Sequence, residues 1–83
     1  MNEHTDILAL RILEAITRAG GSIRRDTVAL IHRLHERHPN ERRPTVSEVE
    51  NTLKVLMREG RIRTDTTMSS VSIKMVQNGK TEK

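Results

Sequence analysis

Apolar positions along the chain recur first at helical spacing and then, past residue 60, at every second residue. At about 100° per residue, Leu8, Ile12, Ala15, Ile16 and Ala19 fall on one side of the segment from Thr5 to Ala19. Ala9 and Leu13 sit at the edge of that stripe, with Arg11, Glu14, Thr17 and Arg18 opposite. The pattern predicts a helix that Thr5 or Asp6 can cap and that Gly20 can end in a left-handed conformation. A second helix is expected from about Arg25 to Arg37, its inward face made by Val28, Leu30, Ile31 and Leu34, with Thr27 and His35 completing the stripe. Asp26 can cap it or sit in its first turn, and Pro39 cannot continue it. Between these helices Ser22-Ile23-Arg24 reads either as a single β-bridge or as the entry to the second helix.

Thr45 to Glu59 carries the clearest helical signature. Thr45-Val46-Ser47-Glu48 matches a capping box, in which the first and fourth residues satisfy each other's free amides. Val46, Val49, Leu53, Leu56 and Met57 repeat at helical spacing behind it, and Gly60 closes the segment. The period then becomes two, in Arg61-Ile62-Arg63-Thr64 and again from Val71 to Val76, which argues for strands joined by a polar connection from Asp65 to Ser70. The fold class expected is mainly α with a small β-hairpin, occupying residues 5–76. Residues 1–4 are expected to be flexible, and the tail 77–83, without an apolar side chain, to be disordered.

Composition narrows what such a domain can do. The chain has no Phe, Tyr, Trp or Cys. That excludes disulfides, thiolate zinc sites and thiol nucleophiles, and it removes the stacking platforms used to grip single strands and RNA loops. Ile, Leu and Val make up 20 of the 83 residues, just above the roughly one-fifth below which chains stay disordered, so nearly every aliphatic must be used. No signal-peptide pattern or membrane-length apolar run is present, so a cytoplasmic location is expected, nucleoid-associated if the partner is DNA.

The order helix, short strand-like segment, helix, helix, hairpin resembles the winged helix-turn-helix DNA-binding domain family: three helices plus a two- to three-stranded wing. The residues carrying the resemblance are Ile12-Leu13-Glu14-Ala15-Ile16, Gly21-Ser22-Ile23, and Thr45-Val46-Ser47 through Leu53 and Leu56 to Gly60-Arg61-Ile62. The longer second helix and the extended stretch from His38 to Pro44 are closer to the looser members, among them linker-histone globular domains, than to compact bacterial regulators. The resemblance implies a third helix in the major groove of double-stranded DNA, flanked by phosphate contacts, in a small transcriptional regulator.

Net charge is +4, and its distribution bears on that expectation. Residues 21–44 hold six arginines against three acids, and residues 61–83 hold five cations against two. The third helix between them is slightly acidic. Along it Ser47, Asn51, Lys54 and Arg58 form a polar stripe within about 60° on the helical wheel. Asn can bond adenine bidentately, and Lys or Arg can bond guanine. These four are the candidate base-reading residues; Arg24, Arg25, Arg42, Arg43, Arg61, Arg63 and Lys74 are the candidate phosphate contacts. The competing interpretation of the stripe is an ordinary solvated helix face. Glu48 and Glu50 weigh against DNA, unless Glu48 is used in the capping box and Glu50 pairs with Lys54. If they are exposed, a protein–protein interaction module becomes the alternative function.

Other chemistry finds less support. His32, His35 and His38 are three apart and could line one helix edge, but with no Cys and only His4 or Glu36 to complete a site, edge-of-core or phosphate-facing roles are expected over metal binding. Histidines charged at mildly acidic pH would add to the basic patch. No active-site constellation can be assembled, so neither enzyme activity nor a cofactor is expected. The connection around Met68 lacks a basic tip, which argues for backbone contact by the wing over minor-groove reading. Ile7, Leu10 and Val55 lie outside the core stripes and are candidates for a homodimer contact.

Overall fold

The computed structural model describes residues 3–67 and 70–76. The tail 77–83 and Met68 lie outside the described residues. The elements run α1 (Glu3–Arg18), β1 (Ser22–Arg24), α2 (Thr27–Arg37), α3 (Val46–Arg58), β2 (Ile62–Thr67) and β3 (Ser70–Met75). The three strands form one antiparallel sheet in the order β1-β3-β2. The architecture is winged-helix-like: three helices and a small β wing.

Local chemistry explains most boundaries. Asp26 caps α2, its carboxylate accepting from the Ala29 amide at 3.1 Å. Thr45 caps α3 with both halves of the capping box formed: its hydroxyl accepts from the Glu48 amide and the Glu48 carboxylate accepts from the Thr45 amide. α1 and α3 end alike. Gly20 (φ +92°) and Gly60 (φ +76°) take the left-handed conformation that lets the next amide, of Gly21 or Arg61, bond back to Ile16 or Leu56 at 2.9 Å.

The core is aliphatic throughout. Ile12 and Ile16 of α1, Leu30, Ile31 and Leu34 of α2, and Val49, Leu53 and Leu56 of α3 close over Ile23, Ile62 and Ile73 of the sheet. Thr52 is buried among them, and its hydroxyl donates to the Glu48 carbonyl at 2.8 Å. Burial of so many aliphatics lets 83 residues hold a fold without aromatic side chains or cysteines.

Several expectations need correction. α1 begins at Glu3, so Thr5 and Asp6 lie within its first turn and do not cap it. Ala19 lies past the helix and is exposed. Val28 and Val46 are not core: they are 55% and 50% exposed, each in the first turn of its helix. Ser22–Arg24 is neither an isolated bridge nor a helix entry but a full strand, with Ile23 opposite Ile73. The hairpin is longer than expected. Asp65 belongs to β2, opposite Ser72, and pairing continues to Thr67 opposite Ser70.

Candidate nucleic-acid interface

The four candidate base-reading residues, Ser47, Asn51, Lys54 and Arg58, are all exposed on α3. Their back is the part of the helix that is most deeply packed, with Val49 and Leu53 fully inaccessible and Leu56 nearly so. A rigid helix therefore presents a continuous polar row four residues long to solvent. Lys54 and Arg58 have no ion-pair partner among the described residues.

The two acids near the start of α3 are held from outside the helix. Glu50 does not pair with Lys54. It takes the guanidinium of Arg25, from just before α2, at 3.1 Å and also accepts the hydroxyl of Thr27, the first residue of α2. Glu48, already in the capping box, takes the Arg42 guanidinium at 2.7 Å. Two candidate phosphate residues, Arg25 and Arg42, thus lie beside α3 but spend their charge on its carboxylates.

The other candidates divide between three places. The alternation of β-strands puts Arg24, Arg63 and Lys74 on the sheet face opposite the core, together with Asp65. Asp65 takes the Lys74 ammonium at 2.6 Å, and that bond holds its carboxyl below the usual carboxylate range, with Arg63 adding to the effect. Arg43 reaches the His32 ring at 3.4 Å from Nδ1. Arg61 lines a groove shared with Leu10 and Val55 between α1 and α3. Of the proposed dimer residues, Leu10 (52% exposed) and Val55 thus come together, whereas Ile7 (45% exposed) faces a different groove, beside Pro44.

The long connection from α2 to α3 is tied down by groups the sequence alone did not single out. Arg11 of α1 makes a two-pronged bond to Glu41, at 2.7 and 3.2 Å. Arg11 also lies 3.5 Å from Glu14, which in turn lies 3.6 Å from His38. The guanidinium holds the Glu41 carboxyl below its ordinary value, and the Arg11 pKa is raised in return, mainly by the same bond. The pairing is 30 residues apart in the chain, and no local spacing announces it.

His32, His35 and His38 do not converge. His32 is beside Arg43 and His38 beside Glu14, while the Nδ1 atom of His35 is buried with no hydrogen-bond partner among the described residues. Among the described residues no three His, Cys, Asp or Glu side chains are placed to hold a metal ion. None of the described helices is long and apolar enough to cross a membrane. Comparisons with protein-family models, curated proteins and solved structures find no match for the chain.

Proposed function

We propose that this protein binds double-stranded DNA in a sequence-specific manner through α3, as a small transcriptional regulator. The observation that carries this reading is the exposed row Ser47, Asn51, Lys54 and Arg58 beside two carboxylates that are already held by arginines. Major-groove reading needs only a rigid helix with Asn, Lys or Arg along one side. The acids that would repel a phosphate backbone are compensated by Arg25 and Arg42 at 3.1 and 2.7 Å, so the chief objection to DNA loses its force.

Phosphate contacts fall to Arg24, Arg43 and Arg63, which carry no carboxylate partner among the described residues; Arg61 lines the Leu10–Val55 groove, and Arg25, Arg42 and Lys74 contribute less because each is ion-paired. The groove shared by Leu10 and Val55 favours a second copy of the chain as a further partner, since a single small module buries limited area on DNA. The competing role as a protein-interaction module rested on an acidic, available first turn of α3. With Glu48 and Glu50 held by arginines, that role has less to offer a partner.

The test is a duplex selected from a random pool, titrated against the native chain and against Asn51→Ala/Lys54→Ala/Arg58→Ala. The three side chains are exposed, so the variant should keep its circular dichroism spectrum and thermal midpoint. Loss of preference for the selected duplex is expected, each lost base contact being worth about 1–3 kcal/mol of discrimination. Unchanged preference in a folded variant refutes the reading.

A further inference from the structure

A cleft of about 560 Å³ opens between α1 and the C-terminal half of α2, and no residue of α3 lines it. Its floor is apolar, formed by Ala15 and Leu34, which are buried. At one side Arg11, Glu14 and His38 belong to the network that ties down the α2–α3 connection. The remaining charged groups are Arg18 on one wall and Arg33, Glu36 and Arg37 on the other. None of these three arginines has an ion-pair partner among the described residues, so the cleft is lined by three such guanidinium groups and two carboxylates, Glu36 and the Glu14 of that network.

A structural role accounts for two of them. Arg18 and Arg37 are the last residues of their helices, where a cation offsets the negative end of the helix dipole. Arg33 lies one turn earlier in α2 and has no such role. Three cations that line one concavity favour an anion there.

The lining also selects the kind of anion. Among the described residues the exposed large hydrophobics are Ile7, Leu10, Val28 and Val46, none of which borders the cleft, so a protein partner would find no exposed apolar anchor there. The chain has no aromatic ring on which a nucleobase could stack. A duplex is too broad to enter a concavity of this size, whereas the volume falls in the range of roughly 300–1,000 Å³ usual for small-ligand sites. Guanidinium groups on two opposing walls match the oxygens of linked phosphates, which they can grip in forked pairs. Because Glu36 stands at the same wall, a singly charged anion gains little and a multiply charged one gains most. We infer that the α1–α2 cleft binds a compact polyphosphate, held between Arg18 on one side and Arg33 and Arg37 on the other.

This inference stands apart from DNA recognition by α3, and inorganic tripolyphosphate is the probe that separates them. In calorimetry at constant ionic strength the native chain should bind it saturably, one per chain. Arg33→Gln/Arg37→Gln should weaken that binding by roughly tenfold or more, the scale of losing a charge-assisted bond, while Arg58→Gln leaves it unchanged. Absence of saturable binding overturns the inference, as does an equal loss in Arg58→Gln. Weakened duplex binding with unaltered tripolyphosphate binding in the double variant overturns it too, because the cleft would then serve a nucleic acid. Amide shifts in the native chain decide the matter independently of any variant. Shifts centred on residues 11–18 and 33–38 support the site, and shifts centred on α3 or the sheet refute it.

Discussion

The start of α3 and the outer face of the sheet both set cations against carboxylates, in different proportions. At α3 two acids, Glu48 and Glu50, meet two arginines that arrive from the loop and from just before α2. On the sheet one acid, Asp65, meets Lys74 and leaves Arg24 and Arg63 on the same face with no ion-pair partner among the described residues. Among the described residues the unpaired charge of the helix lies in its later turns, at Lys54 and Arg58, whereas the sheet keeps a cationic surplus. What a partner meets depends on which charges are already paired, and those pairs join segments distant in the chain.

That contrast can be broken at four points. The largest effect should come from Leu53→Ala, which hollows the packing directly behind the α3 stripe. Leu53 is fully buried, and such truncations cost about 2–5 kcal/mol, a large share of the stability of so small a domain. Urea unfolding should show the loss, and a cost under about 1 kcal/mol would mean that α3 is not packed as described.

Next comes the cap of the same helix. Thr45→Ala removes the hydroxyl that accepts the Glu48 amide and should cost about 1 kcal/mol. It should also loosen the first turn, visible as faster amide exchange at residues 46–49. Unchanged exchange there would count against the capping box.

Freeing the masked cations is a smaller and more diagnostic change. Glu50→Gln releases Arg25, and it should strengthen duplex binding at low salt while lowering stability by less than about 1 kcal/mol. Asp65→Asn does the same for Lys74 on the sheet, with a weaker gain expected because neighbouring cations already supply charge. If Glu50→Gln weakens duplex binding, the carboxylate is positioning Arg25 for DNA and is not masking it.

The smallest effect concerns acid stability. Glu41 and Asp65 both have carboxyl pKa values lowered in the folded state, by Arg11 and Lys74 respectively. A carboxyl depressed on folding adds stability that is fully present above its unfolded value and is lost as pH falls through its folded value. Stability should therefore decline as the pH drops below the ordinary carboxylate range, and Glu41→Gln should flatten part of that decline. An acid profile identical to that of the native chain would show that the Arg11–Glu41 bond does not persist in solution.

Much of the architecture was legible from spacing alone. The capping box at Thr45 and Glu48, the glycine stops at Gly20 and Gly60, and the period-two alternation around Ile62 and Ile73 are local signals, and each marks the element it suggested. Val28 and Val46 misled because periodicity records direction around a helix and not whether a neighbour reaches that turn. β1 was ambiguous because three residues with one apolar side chain carry almost no pattern; its pairing with β3 decides it. At the candidate interface the polar row on α3 followed from the helical wheel. The pairs Arg25–Glu50 and Arg11–Glu41 did not, since ion pairs between distant segments leave no periodic trace. The local rule favoured Glu50 with Lys54, and the nearby Arg25 and Thr27 outcompeted it.

The most direct test of DNA recognition by α3 is the affinity of the native chain for its selected duplex, measured across a range of salt concentrations. Each phosphate neutralised contributes a slope of roughly −0.9 in log affinity against log salt. With Arg24, Arg43 and Arg63 as contacts, a steep fall is expected, together with a preference for the selected duplex over random DNA that survives at every salt concentration. Affinity that does not change with salt, or no preference between the two duplexes, would contradict it.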